Sequence, residues 1–347
     1  MIFWIVFILC IFFLIAPYRI GPNTTRPKEF EYIGVVLIIL VSLFRFDVGY
    51  DYPAYYSTLW PTLDVVKIER YEPLSLQFFY LTDALKWPPL IFILFGLVTY
   101  GFIFYSLRRY TPNFFLATLT FIAFFFFFTL GVIRQGTAIA IVLYGYRYIV
   151  KKNFIKYIIC VMVASCFHST AIIAFLIPII YNYFNFKILI ITSIILITGY
   201  TALEYLISTY FPIYNIYLKK LDSMEGGNTL KYFYIMLNAI LFFLSRKHKK
   251  DIYPLLFISS IGALFPFILG GHLGGRVANY FLIFLCISIP KIFNYYSYKI
   301  RIGVGGVLCS FFIALLYVST GNEVKSPYTP YQTIFTIDYK NPKFKRY

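Results

Sequence analysis

The chain has 347 residues, of which 60% are hydrophobic, 22% aromatic and 13% charged, and it carries a formal net charge of +17. A soluble domain carries about 25% charged residues, so the composition excludes a water-solvated globule and makes a bilayer the solvent. Cys10, Cys160, Cys166, Cys286 and Cys309 all fall in apolar stretches with no CxxC pair, so neither a disulfide framework nor a thiolate metal site is indicated.

The expected fold is all-α, a polytopic transmembrane helical bundle forming a single integral membrane domain over 1–347. Apolar runs long enough for a span fall at 2–16, 32–44, 89–107, 113–130, 132–149, 187–203, 229–245, 252–270, 276–291 and 302–319. That makes about ten full spans. The first, Met1–Ala16, lacks the basic start and the Ala-x-Ala site of a signal peptide, and reads as a span. Between spans two and three, Glu72-Pro73 opens an expected interfacial helix over 73–86, which stops at Lys86-Trp87-Pro88-Pro89. The stretch 155–183 is long for one span and short for two.

Lys and Arg concentrate in short loops on the cytoplasmic side of membranes. Placing 17–31, 105–112, 147–156, 184–187, 246–251 and 291–301 in the cytoplasm gives that side an excess charge of +14 against +3 for the other. The loops 45–88 and 204–228 and the tail 320–347 are then extracytoplasmic. Both ends of 155–183 become cytoplasmic, so this stretch is expected to enter and return as a short or re-entrant hairpin. Its turn falls near Cys166-Phe167-His168-Ser169-Thr170. A single tilted helix is the alternative.

Polar residues held at membrane depth are the candidates for chemistry. After span two, Arg45, Asp47, Gly49, Asp51 and Tyr50, Tyr52, Tyr55 and Tyr56 crowd together. Tyrosine faces suit sugar rings and carboxylates suit hydroxyls, although an interfacial aromatic belt with a snorkelling Arg has the same composition. Glu72 before Pro73 is a candidate carboxylate that also fits an ordinary helix start. Gly131-Val132-Ile133-Arg134-Gln135 and Gly271-His272-Leu273-Gly274-Gly275-Arg276 each place an Arg at a helix N-terminus, where free N–H groups already favour an anion. A lone Arg at that level is commonly a membrane anchor. Three together, with Arg45, fit a pyrophosphate, because the guanidinium fork binds phosphate oxygens bidentately. His168 sits at the hairpin tip, where a backbone carbonyl satisfies most such histidines. No spacing supports a metal site. The aromatic tract Phe124–Phe128 suits lipid-facing packing or a polyprenyl groove.

Taken in order, Arg45-x3-Gly49-x-Asp51-x3-Tyr55, Glu72-Pro73, Gly131-Val132-Ile133-Arg134-Gln135 with Ala138 and Ala140, Ala164-x2-Phe167-His168-Ser169-Thr170-Ala171, and Arg276-x3-Tyr280-Phe281 resemble the EpsG-like family of exopolysaccharide and O-antigen polymerases, the Wzy type. Pro327-Tyr328 resembles the Pro-Tyr-Lys ending of that family, with Thr329 in place of the Lys. The resemblance implies a fold like the multi-span GT-C glycosyltransferases. It also implies a metal-independent polymerase in the bacterial inner membrane, with its active site facing the periplasm or exterior and no cofactor. Donor and acceptor are then glycans on undecaprenyl pyrophosphate, membrane lipid and a chain-length regulator protein are further partners, and nucleic acid is not one. Asp51, Glu72 and His168 are the candidates for catalysis, and Arg45, Arg134 and Arg276 for pyrophosphate. Gln135, Tyr55, Tyr280 and His272 are candidates for sugar binding or orientation. A ligase would use the same donor site. A transporter or flippase of lipid-linked oligosaccharide would instead carry charges through the depth of its spans and show repeat symmetry.

Overall fold

A computed structural model of the chain describes residues 28–199, 227–269 and 273–320, together with Ile5, Ile8, Tyr205, Leu206, Thr209, Tyr210, Tyr328, 331–335 and Phe344. His272 lies outside the described residues, and so does most of the first span 2–16, the loop 204–228 and the tail 320–347.

The described chain is helical apart from one two-residue strand pair. In order the helices are α1 (Lys28–Leu43), α2 (Tyr52–Leu59), α3 (Val65–Ile68), α4 (Pro73–Ala84), α5 (Leu90–Tyr110), α6 (Phe114–Phe124), α7 (Phe126–Gly131), α8 (Ile133–Val150), α9 (Phe154–Ser165), a 3-10 helix (Ser169–Phe175), α10 (Leu176–Tyr183), α11 (Phe186–Thr198), α12 (Gly227–Leu244), α13 (Lys249–Ile268), α14 (Gly275–Leu282), α15 (Leu285–Asn294) and α16 (Tyr298–Thr320). Among the described residues, four helices are long and apolar enough to cross a membrane: Leu90–Tyr110, Lys249–Ile268, Gly275–Asn294 and Tyr298–Val318. Apolar helices of 10–17 residues, such as Phe154–Ser165 and Tyr232–Leu244, accompany them. Chains in hydrocarbon must satisfy their own polar groups. Accordingly, the buried hydroxyls of Ser42, Thr120 and Ser245 donate to the carbonyls one turn back, at 2.7 Å in each case.

The expected span 113–130 is two helices. At Phe125 the backbone leaves helical geometry (φ −126°, ψ −17°), so α6 and α7 meet at a bend. The tract around that bend is turned inward: Phe125 and Phe126 are buried, and Phe127 stacks on Phe312 with ring centroids 5.3 Å apart. The stretch 155–183 reverses at Cys166–His168. The Tyr157 hydroxyl, early in α9, donates to the Ala174 carbonyl at 2.9 Å, so the 3-10 helix runs back alongside α9.

Helix α8 is the centre of the packing, lying against α5, α9, the 3-10 helix and α14. Thr137 meets Thr99 of α5 at 2.7 Å between hydroxyl oxygens. Helices α13 and α14 approach closely because position 262 is Gly: a Cβ there would lie 2.6 Å from the Cβ of Phe281. At one end of the bundle, β1 (Arg45–Phe46) pairs antiparallel with β2 (Gln332–Thr333), with Arg45 opposite Thr333. This pairing holds the chain after α1 in the turn that leads into α2.

Candidate active site

The site is built at the first turn of α8, where the chain enters from α7 through Val132. Arg134 projects from that turn toward three partners in the segment between α1 and α5. Its Nη1 donates to Glu72 Oε2 at 2.6 Å, its Nε donates to the Tyr55 hydroxyl at 3.4 Å, and its guanidinium carbon lies 4.0 Å from the centroid of the Tyr71 ring. An ion pair with side chains only 17% and 15% exposed, backed by a cation–π contact, fixes the fork far better than a surface pair. Burial pushes the Tyr55 phenol up to about 12, so it stays neutral beside the cation.

Glu72 reaches that position because of how α4 begins. It is the N-cap of α4 with extended backbone (ψ 154°) and Pro73 follows at the first helical position, yet its carboxylate does not cap its own helix. Oε1 instead accepts from the Ser169 amide at 2.8 Å, the first residue of the 3-10 helix. The tip of the α9 hairpin returns the favour: the Cys166 carbonyl accepts from the amide of Leu74 at 2.9 Å, and Ser75 Oγ donates to the Phe167 carbonyl at 2.8 Å. Helix starts leave amides without intrahelical partners, and here the two starts satisfy each other across 92 residues of sequence.

His168, 8% exposed, lies beside this junction. Its Nδ1 is 2.7 Å from Thr170 Oγ1, which in turn is 3.2 Å from the Tyr280 hydroxyl on α14. The imidazole is within electrostatic range of Glu72, Arg134 and Arg276 together. Gln135 ties the same turn of α8 to the start of α14, donating from Nε2 to the Arg276 carbonyl at 2.7 Å. The Arg276 guanidinium is part-exposed and makes no hydrogen bond or ion pair with any described residue.

Seven of the ten residues singled out by the sequence therefore sit in one cluster: Tyr55, Glu72, Arg134, Gln135, His168, Arg276 and Tyr280. Asp51 lies at its edge, at the N-cap of α2 without a side-chain capping bond and within electrostatic range of Tyr55. Arg45 differs. It is 1% exposed and each of its three nitrogens donates to a backbone carbonyl: Nε to Val48 at 3.0 Å, Nη2 to Leu130 at 3.1 Å, and Nη1 to Ser42. It clamps the turn after α1 to the end of α7, and its guanidinium, enclosed among those carbonyls, is not presented to a phosphate as Arg134 and Arg276 are. Gly49 completes that clamp: its φ is +115°, and a Cβ would stand 2.4 Å from the Leu130 carbonyl oxygen. Sequence reasoning assigns no role to Tyr71, the Ser169 amide or Thr170. Ser169 and Thr170 fall within a recognised motif, and Tyr71 adjoins Glu72, so proximity to a candidate carboxylate was the available signal.

Among the described residues no three His, Cys, Asp or Glu side chains come together as a metal site would require. The cluster is a fixed carboxylate–guanidinium pair, a second guanidinium with no partner among the described residues, and an oriented imidazole. It suits an anionic leaving group and a hydroxyl that must lose a proton.

The model of the EpsG family matches residues 30–333, a span that contains every residue of the cluster. No curated protein and no solved structure matches the chain.

Proposed function

The chain belongs to the EpsG family, and we propose on that premise that it polymerises undecaprenyl-pyrophosphate-linked oligosaccharide repeat units into exopolysaccharide or O-antigen. Family membership and the apolar helices make it a membrane protein with a polysaccharide-polymerase-like role. The observation that carries the finer reading is the meeting of Arg134, Arg276 and His168 around Glu72 at one end of the bundle.

In this mechanism the acceptor hydroxyl oxygen attacks the anomeric carbon of the donor glycan, and the bond from that carbon to the pyrophosphate oxygen breaks. Its proton passes to Nε2 of His168. For this the imidazole needs the tautomer in which Nδ1–H donates to Thr170 and Thr170 donates on to Tyr280. Charge grows on the departing lipid pyrophosphate. Arg276, whose guanidinium binds no described residue, is available to meet it, and Arg134, held in place before the reaction, adds fixed positive potential in a water-poor site. Glu72 has both oxygens engaged, so its role is to position Arg134 and the hairpin tip rather than to take the proton. Tyr55 and Tyr71 offer aromatic faces beside that pair for a sugar ring.

The same reading puts the cluster at the extracytoplasmic side of a bacterial inner membrane, in a GT-C-like bundle. Its support is that Arg108, Arg109, Arg147 and Lys151 terminate α5 and α8 at the other end. The test uses the full chain in sealed proteoliposomes with synthetic undecaprenyl-pyrophosphate repeat units. A ladder of longer lipid-linked glycans is expected, with none from Arg276→Ala. Translocation of the units without lengthening would make the chain a flippase instead.

A further inference from the structure

At the opposite end of α8 from Arg134, a cavity of about 360 Å³ opens between the ends of α5, α8 and α15, the start of α13 and the body of α10. Arg109, Arg147, Lys151 and Lys291 line it against one carboxylate, Asp251. Arg134 and Arg147 are thirteen residues apart on one helix, about 20 Å at 1.5 Å per residue, so this cavity is separate from the candidate active site.

Lys and Arg at helix C-termini have an ordinary explanation in the helix dipole and in membrane topology. That explanation places charges on a convex rim with their heads in water. Here the rim is concave. Lys291 is half-buried, with its ammonium 5.7 Å from the centroid of the Tyr146 ring, and the Tyr146 and Tyr181 rings meet edge to face at 5.9 Å. Arg147 is held in advance, its guanidinium carbon 4.0 Å and 4.4 Å from the centroids of the Tyr144 and Tyr148 rings. Four cations against one acid in a walled recess concentrate positive potential. The volume lies within the range of small-ligand sites, about 300–1,000 Å³. Basic recesses between membrane helices at interface level suit lipid phosphates.

We propose that this recess is a binding site for a phosphate-bearing anion, distinct from the candidate active site. The phosphate belongs either to the headgroup of an anionic phospholipid or to a soluble phosphate compound, and the guanidinium and ammonium groups recognise both by the same chemistry.

The test is native mass spectrometry of the detergent-solubilised full chain, titrated separately with phosphatidylglycerol, phosphatidylcholine and inorganic pyrophosphate. The double variant Arg109→Gln, Lys291→Gln should lose about 30-fold in affinity for phosphatidylglycerol, and Asp251→Asn should gain about fivefold, each charge near the surface contributing on that scale. Phosphatidylcholine should bind all three forms alike. If pyrophosphate follows this pattern and phosphatidylglycerol does not, the soluble compound is the source and the site stands. The proposal is overturned if both anionic probes bind wild type, the double variant and Asp251→Asn equally. Asp251→Asn decides alone should the double variant fail to insert: no gain for either anion rejects the site.

Discussion

Helix α8 carries one arginine in its first turn and another in its last, and their surroundings could hardly differ more. Arg134 takes its partners from far along the chain: Glu72, Tyr55 and Tyr71, none of them on its own helix. Arg147 makes its ring and hydrogen-bond contacts with Tyr144 and Tyr148, its neighbours along α8. The first arrangement exists only when α2, α4, the α9 hairpin and α8 are all in place; the second exists wherever the helix does. A cluster that needs four elements to assemble resembles a reaction site, where geometry must be over-determined. The aromatic seat of Arg147 needs only one helix, although the recess it lines draws on five.

Substitution at the two ends should expose this contrast. Arg134→Ala removes a cation and leaves Glu72 enclosed with no countercharge. A partly buried pair broken in this way costs about 3 kcal/mol of stability, and the loss of a preorganised cation costs about 100-fold or more in rate. Chain extension from lipid-linked repeat units should drop below detection, while thermal melting in detergent reports the stability part. Arg134→Lys keeps the charge and discards the planar fork over Tyr71, so it should recover stability more than rate. Equal recovery of both would mean that charge alone matters.

Gly49→Ala comes next. It attacks the assembled end without touching a charged group, because the new Cβ would crowd the Leu130 carbonyl and the residue would have to hold φ at +115°. A loss of about 2 kcal/mol is expected from strain and displacement together, read as a lower melting temperature. Thr170→Val is smaller still. It keeps the shape and deletes the link between His168 and Tyr280, so chain extension should fall about tenfold, the scale of one lost hydrogen bond. Thr170→Ser should restore it. A purely structural role predicts a melting change in Thr170→Val and no change in the pH profile of the rate; a tautomer-setting role predicts that the profile moves.

Much of the assembled end was legible in the sequence because its pieces are tied to helix starts. Pro73 at a first helical position, the glycine and arginine opening α8, and the polar tip within 155–183 each announce a boundary, and boundaries in a membrane chain are where polar residues gather. What the sequence concealed is direction. Glu72 looks like the cap of its own helix, but its carboxylate turns away to Arg134 and Ser169, a choice made by the hairpin that packs alongside. Arg45 lies at the same expected membrane level as Arg134, yet carbonyls of Ser42, Val48 and Leu130 hold its guanidinium once α1 and α7 end beside it. The bend at Phe125 falls inside an unbroken apolar run, where neither period nor charge marks a break. The pairing of Arg45–Phe46 with Gln332–Thr333 is too short to leave any pattern.

The smallest expected effect belongs to the far end of α8. In Arg147→Gln the guanidinium no longer lies over Tyr144 and Tyr148, but those rings keep their contact with each other, 6.3 Å between centroids, and Tyr144 keeps its edge contact with Phe102 at 4.9 Å. No carboxylate pairs with Arg147 among the described residues, so no buried charge is left alone. The loss reduces to a local side-chain contact within one helix, about 0.5 kcal/mol, a shift in melting near the limit of measurement. A drop comparable to that of Arg134→Ala would mean that the last turn of α8 is braced through the basic recess by Lys291 and Asp251 as tightly as the first turn is braced through Glu72. The contrast between the two ends would then lie in chemistry alone and not in how many elements hold each arginine.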